Sequence, residues 1–173
     1  MNAGPTAAVR LVVPTARAMQ ALGARLAGLL RPGDLIVLSG DLGAGKTTLT
    51  QGLGAALGVH GRIASPTFVI SRVHPSTTDG PALVHVDTYR MADAVEVADL
   101  DLDESVADSV TVVEWGAGLV ETLAADRLEL VLTRTTQLPE DADPDDPSAA
   151  VREVSVVGVG DRWFGVDLGE ALA

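Results

Sequence analysis

Residues Leu35–Thr47 have the sequence LIVLSGDLGAGKT, an apolar run followed by a glycine-rich loop. The run Leu35–Leu38 contains no polar residue, which predicts a strand buried on both of its faces. From Gly40 onwards the sequence matches G-x-x-x-x-G-K-[ST] at every fixed position. A buried strand, such a loop and a following helix together are typical of a phosphate-binding loop.

Each fixed residue of this loop has a physical task. Glycines adopt backbone angles that turn successive N–H groups toward a phosphate. Lys46 supplies a compact positive charge for the β- and γ-phosphates, and the Thr47 hydroxyl can ligate Mg²⁺. A helix predicted over Lys46–Leu57, with Gly58 as its C-terminal cap, adds the dipole of its N-terminus.

Two carboxylates end apolar strands and are candidates for the acidic side of the metal site. The run Leu83–Val86 leads into Asp87, and Thr111–Val113 leads into Glu114. A phosphate-binding loop needs such an acid near its threonine. The sequence leaves open which of the two ligates the metal.

Lys46 is the one lysine among the 12 basic residues of the chain. The guanine-reading motif Asn-Lys-x-Asp needs a lysine of its own, so a regulatory GTPase is not expected. ATP with Mg²⁺ is therefore the expected nucleotide, although no adenine-specific motif is present.

The remaining sequence alternates strand and helix patterns, which predicts an α/β fold. We expect a P-loop NTPase-like three-layer sandwich with a mostly parallel sheet and antiparallel strands toward the C-terminus, forming one domain over residues 1–173. Strands are predicted at Ala8–Val13, Phe68–Val73, Leu83–Val86, Thr111–Glu114, Leu128–Thr135 and Val151–Val159. Helices are predicted after an N-cap at Thr15, in pieces over Met91–Asp108, and at Leu119–Ala125.

The charge balance argues against direct binding of nucleic acid. The 24 acidic and 12 basic residues give a net charge of −12, and no basic run is present. Salt-sensitive binding of tRNA depends on Lys and Arg that neutralise phosphates. The segment Gln137–Ala149 carries several of the acids and is predicted to be a mobile surface loop.

Other features predict a cytoplasmic chain without a membrane span. No apolar run approaches the roughly 18 residues that a transmembrane helix needs, and Met1–Arg10 lacks a basic leader ahead of an apolar stretch. The absence of cysteine excludes disulfides and thiolate chemistry.

Four motifs resemble the TsaE (YjeE) family of bacterial ATPases, which take part in the synthesis of threonylcarbamoyladenosine in tRNA. They are GDLGAGKTT at residues 40–48, SPTF at 65–68, HVDTYR at 85–90 and EW at 114–115. Their order and spacing cover roughly residues 10 to 135. Family members commonly have leucine where Thr88 stands, a change that we expect an exposed position to absorb.

The resemblance implies roles for individual residues. Lys46, Asp87, Glu114 and Thr67 are the implied catalytic residues; Asp87 acts in hydrolysis and Thr67 lies in a switch-like loop that senses the γ-phosphate. Thr47 and Glu114 are the implied metal-side pair. Nucleotide contacts are expected from Thr15 near the base and from Asp41, Leu42, Gly43, Ala44, Gly45, Lys46, Thr47 and Thr48.

The resemblance also implies a partnership. In the family, the ATPase works with TsaB and TsaD, which carry out threonylcarbamoyl transfer to adenosine 37 of tRNA, and hydrolysis resets the complex. The tRNA would then be reached only through the complex. Trp115 is open to a core or a functional role, and His85 is expected to be a satisfied core histidine.

Two other functions are compatible with the same loop. A small-molecule kinase would carry an arginine-bearing lid, and Arg90 and Arg127 form no evident cluster. A nucleotide-gated binding module would bind ATP without hydrolysing it. A phosphorylated product from a candidate acceptor would favour the kinase. Absence of ATP hydrolysis with or without partners would favour the binding module.

Overall fold

The computed structural model describes residues 4–100, 102–135 and 150–173, so the acidic segment 137–149 lies outside the described residues. The strands are β1 (Val9–Val13), β2 (Leu35–Gly40), β3 (Ser71–His74), β4 (Ala82–Asp87), β5 (Ser109–Glu114), β6 (Arg127–Arg134) and β7 (Arg152–Val159). The helices are α1 (Ala16–Ala27), α2 (Lys46–Leu57), α3 (Ala94–Ala98), α4 (Leu102–Val106) and α5 (Leu168–Leu172), with a 3₁₀ turn at Asp161–Trp163. Within these ranges, no helix has the length and apolar character to cross a bilayer.

The seven strands form one mixed sheet in the order β1-β7-β6-β2-β5-β4-β3. The four central strands β6, β2, β5 and β4 are parallel to one another. Strands β6 and β7 pair antiparallel, which confirms the antiparallel addition predicted for the C-terminal part of the chain. β1 and β3 also pair antiparallel with their neighbours, so both edges of the sheet depart from the parallel core.

Strand β2 contributes side chains to both faces of the sheet, as its apolar run predicts. Ile36 and Leu38 pack in a cluster with residues of α1, α2 and α5. Leu35 and Val37 pack in a second cluster with residues of α3 and α4. Helices therefore cover both faces of the central strands, which confirms the three-layer α/β fold.

Two predicted elements differ from the structure. The strand predicted at Phe68–Val73 is β3 at Ser71–His74, because Ile70 has a left-handed backbone (φ 69°) that separates the SPTF loop from the strand. The helix predicted at Leu119–Ala125 is a series of turns. Within it, the Leu123 N–H donates to the carbonyl oxygen of Val120 three residues back, a turn contact and not the four-residue step of an α-helix.

Helices α1 and α2 pack backbone against backbone through two glycines. A Cβ on Gly52 would collide with the carbonyl oxygen of Gln20, and a Cβ on Gly23 would collide with that of Leu49. Met19 of α1 also reaches the loop ahead of α2, because its Cε would lie 3.1 Å from a Cβ at Gly45. The start of α1 is thus fixed against the glycine-rich loop.

We expect Gly52→Ala to lower the free energy of unfolding by about 1–3 kcal/mol, the usual penalty for overpacking. The methyl group would meet backbone atoms of α1, which cannot rotate away. Chemical denaturation measures the effect. The control is Gly28→Ala at the C-terminal cap of α1, where φ is −65° and the nearest atom to a Cβ is 3.4 Å away. Equal stability of Gly52→Ala and wild type would contradict the close packing.

Candidate functional site

The carboxyl ends of β2, β4 and β5 meet at a cavity of about 650 Å³. This is the edge at which open parallel sheets bind ligands. Register places the ends together: Leu38 pairs with Glu114, and Glu114 pairs with Asp87 on its other side. The cavity size is within the usual range for small-molecule sites.

The glycine-rich loop has the backbone conformation that its composition predicts. Gly40, Gly43 and Gly45 have φ values of 144°, 77° and 106°. Gly40 also passes close to the carbonyl oxygen of Leu132 in β6, where a Cβ would not fit. Helix α2 begins at Lys46, directly after Gly45, without a side-chain cap. Its first N–H groups are therefore available to an anion.

Lys46 is folded back against its own loop. Its Nζ donates to the carbonyl oxygens of Gly40, at 2.6 Å, and Asp41, at 3.0 Å. The ammonium lies 4.0 Å from the centre of the Trp115 ring, within reach of a cation–π interaction. Burial lowers the pKa of Lys46, against an opposing attraction from Glu114, Asp87 and Asp41.

Thr47 and Glu114 form the pair that suits a hard cation. The Thr47 hydroxyl donates to Glu114 Oε1 at 3.0 Å, and both residues line the cavity. Hydroxyl and carboxylate oxygens are the donors that Mg²⁺ prefers, with phosphate oxygens and water completing its shell. The side chains present therefore fit Mg²⁺ at this position.

Asp87 is connected to the SPTF loop rather than to the threonine of α2. Its Oδ2 accepts hydrogen bonds from the hydroxyls of Ser65 at 3.1 Å and Thr67 at 2.8 Å. Its Oδ1 accepts from the backbone N–H of Tyr89 at 2.9 Å. The carboxylate lines the cavity and at the same time holds one of the loops that border it.

His85 is buried, as expected, but it is not the satisfied core histidine that was predicted. Its Nε2 lies 2.8 Å from Glu114 Oε1, and its Nδ1 has no hydrogen-bond partner in the described part of the chain. The expectation for Thr88 is wrong. Only 2% of Thr88 is exposed, and its hydroxyl donates to the carbonyl oxygen of Glu114 at 3.1 Å.

The structure brings most of the predicted residues to one cavity. The predicted residues that line it are Thr15, Leu42, Gly43, Gly45, Lys46, Thr47, Thr48, Thr67, Asp87 and Glu114. Two predicted positions are not among the lining residues: Asp41 is exposed and offers its carbonyl to Lys46, and Ala44 is fully buried.

Several lining residues were not predicted. Arg17 and Arg152 carry positive charge at the cavity, and Ser65 adds a hydroxyl beside Asp87. Trp115, which the sequence left open, lies at the site with a positive φ of 63°. Its backbone N–H donates to the carbonyl oxygen of Leu38 in β2, and its ring lies beside Lys46.

Residues 13–141 match the family model described as "Threonylcarbamoyl adenosine biosynthesis protein TsaE". The chain belongs to the TsaE family. The family resemblance found in the four motifs is thus confirmed, and with it a role in the biosynthesis of threonylcarbamoyladenosine in tRNA.

Individual TsaE relatives match over most of their length. A Streptomyces coelicolor protein described as "tRNA threonylcarbamoyladenosine biosynthesis protein TsaE" is 57% identical over 87% of this chain and 97% of its own. A Bacillus subtilis protein with the same description is 38% identical over 83% of this chain and 82% of its own. The crystal structure of Bacillus subtilis YdiB has a TM-score of 0.67 and 29% identity, and it covers 94% of this chain and 90% of that one.

We expect ATP to protect Lys46 of this TsaE chain from amine-directed labelling. Phosphate oxygens would favour the charged form of the Lys46 amine, which burial disfavours, and they would shield Nζ from the reagent. Because Lys46 is the one lysine, the N-terminal amine is an internal control that ATP should leave reactive. Peptide mass spectrometry measures both sites. Unchanged labelling of Lys46 at saturating ATP and Mg²⁺ would contradict the assignment of the phosphate site.

Proposed function

We propose that this TsaE chain binds ATP and Mg²⁺, hydrolyses ATP to ADP and phosphate, and supports threonylcarbamoyl transfer to adenosine 37 of tRNA together with TsaB and TsaD. The observation that carries the proposal is the convergence of Lys46 with the Thr47–Glu114 pair on one cavity. Such a constellation provides the parts that phosphoryl transfer requires, namely a phosphate cradle, a cation and a metal-side acid.

The glycine-rich loop and Lys46 bind the triphosphate. Lys46 exchanges its two carbonyl partners for phosphate oxygens, which are stronger acceptors because they are charged. The backbone N–H groups at the start of α2 face the same oxygens. Thr47 and Glu114 would hold Mg²⁺, which neutralises charge on the phosphates when it is bound.

Asp87 is placed for a role in hydrolysis that depends on the SPTF loop. A carboxylate accepts hydrogen bonds and does not donate them, so it can take a hydrogen bond from a water molecule at the cavity. In this structure Oδ2 already accepts from Ser65 and Thr67. Rearrangement of this loop would free Oδ2 for water, which couples the loop to turnover.

The same loop offers a contact for partner proteins. Phe68 follows Thr67 directly and is 83% exposed, with the Arg90 guanidinium 4.7 Å from the centre of its ring. A large exposed aromatic residue next to a basic side chain is typical of a binding surface. The nucleotide state can therefore alter the affinity for TsaB and TsaD through Thr67.

We expect Glu114→Gln and Asp87→Asn to impair ATP turnover in the presence of TsaB and TsaD, with little effect on the fold. Loss of a metal-side carboxylate reduces activity by at least about 10-fold, and loss of a general base reduces it by about 100-fold or more. Steady-state phosphate release measures turnover, and thermal melting controls for folding.

The matched control is Asp99→Asn, which removes an exposed carboxylate outside the cavity and should retain wild-type turnover. Wild-type rates in both site variants would refute the proposal. A phosphorylated small-molecule product would favour a kinase instead. ATP binding without turnover in any combination would favour the binding module.

We expect the isolated chain to show no measurable affinity for tRNA at physiological salt, and the assembly with TsaB and TsaD to bind it. A net charge of −12 lacks the cations that release counterions from a phosphate backbone. Titration of labelled tRNA against the chain alone and against the complex measures this. Tight binding by the chain alone would contradict the expected division of roles.

Pull-downs with ATP, ADP and no nucleotide belong to the same experiment. We expect ATP to strengthen the association with TsaB and TsaD, because the γ-phosphate orders the SPTF loop. Association that is independent of nucleotide would contradict this coupling.

A further inference from the structure

His85 is a fully buried polar side chain in a strand that is otherwise apolar up to Asp87. It lies on β4 with 0% exposure, opposite Val112 of β5 and between Leu83 and Asp87 on the same face of the sheet. Its Nδ1 has no partner among the described residues. A buried polar atom without a partner lowers stability, whereas an apolar side chain at this position would avoid that cost.

The other ring nitrogen explains why a histidine stands here. Nε2 lies 2.8 Å from Glu114 Oε1. An ionised carboxylate can only accept a hydrogen bond, so Nε2 carries the proton and donates it. In the neutral ring Nδ1 is then only an acceptor. A buried acceptor without a partner lowers stability less than a buried N–H donor without one.

Both hydrogen bonds that reach the Glu114 carboxylate within the described chain fall on the same oxygen. Thr47 donates to Oε1 from the start of α2, and His85 donates to Oε1 from the neighbouring strand. These two donors fix the orientation of a side chain that is only 3% exposed. Oε2 is the oxygen that remains for a ligand in the cavity that Glu114 lines.

We propose that His85 is a positioning residue that orients the Glu114 carboxylate, so that Oε2 is presented to the Mg²⁺ that accompanies the nucleotide. The inference rests on the proposed function, because it assumes that Glu114 and Thr47 hold that ion. It assigns His85 no contact with the nucleotide. His85 acts on the metal-dependent part of nucleotide binding and leaves the rest of the phosphate cradle intact.

The test compares His85→Leu and His85→Gln with wild type by calorimetry, with a non-hydrolysable ATP analogue as the probe. Each variant is titrated once with Mg²⁺ and once with EDTA. For His85→Leu we expect affinity in EDTA to stay within a factor of about two of wild type. The gain in affinity on adding Mg²⁺ should be about 10-fold smaller, the usual effect of removing a partner of a metal ligand.

His85→Gln keeps an N–H donor near the position of Nε2 and should recover part of the Mg²⁺-dependent gain. The matched control is His74→Leu. His74 is a second buried histidine with one unpartnered nitrogen, but it contacts the carbonyl oxygen of His60 and does not contact Glu114. This control should retain the full gain, which separates positioning of Glu114 from the general effect of replacing a buried histidine.

A double variant completes the design. In the Glu114→Gln background, His85→Leu should cause no further loss of the Mg²⁺-dependent gain, because the two residues act through one carboxylate. A full gain in His85→Leu, or equal losses in His85→Leu and His74→Leu, would overturn the inference. If wild type itself shows no gain with Mg²⁺, the proposed function fails, and this outcome is distinct from a failure at His85 alone.

Discussion

The parallel register of β2, β5 and β4 is the constraint on which the site depends. Leu38, Glu114 and Asp87 lie side by side because the three strands are paired in parallel register, and β5 and β4 end at the level of Leu38. β2 then continues into the glycine-rich loop, while the other two strands end in carboxylates. The backbone N–H of Trp115 donates to Leu38 and closes this edge, so the loop, the acids and the aromatic ring have one common support.

Several polar side chains are buried at this edge of the sheet, next to the apolar core. Lys46, His85, Asp87 and Glu114 are each at most 5% exposed. They are tolerated because each has a polar partner: backbone carbonyls for Lys46, hydroxyls for Asp87, and each other for His85 and Glu114. Removal of a side chain leaves its buried partner unsatisfied, as for His85 and Glu114, so substitutions that remove the charge but keep the shape are the informative ones.

The parts of the fold that depend on local pattern could be predicted from the sequence. The apolar run of β2, the glycines of the loop and the cap at Gly58 each act over a few residues, and the structure has all three as expected. The antiparallel pairing of β6 with β7 also followed from their alternating pattern. The extent of β3 did not, because the left-handed backbone at Ile70 leaves no mark on the hydrophobic pattern.

Side-chain contacts between different strands could not be predicted from the sequence. His85 and Glu114 are 29 residues apart, and nothing local indicates that one donates to the other. Thr88 was expected at an exposed position that could absorb a change from leucine, whereas its hydroxyl donates to a backbone carbonyl of β5. Arg17 and Arg152 reach the cavity from α1 and β7, and only the complete strand order brings those elements to the loop.

The two walls of the cavity are held in place by different kinds of contact. The wall that begins at Thr15 is set against the loop by glycines that leave no room for adjustment. The wall formed by Ser65 and Thr67 is held by hydroxyl contacts to one carboxylate, which solvent or ligand oxygens can replace. If a ligand binds in the cavity, we therefore expect the loss of conformational entropy to fall mainly on the Ser65–Thr67 side. Contacts on the Thr15 side would then require little ordering of the chain, whereas the Ser65–Thr67 side would change conformation on binding.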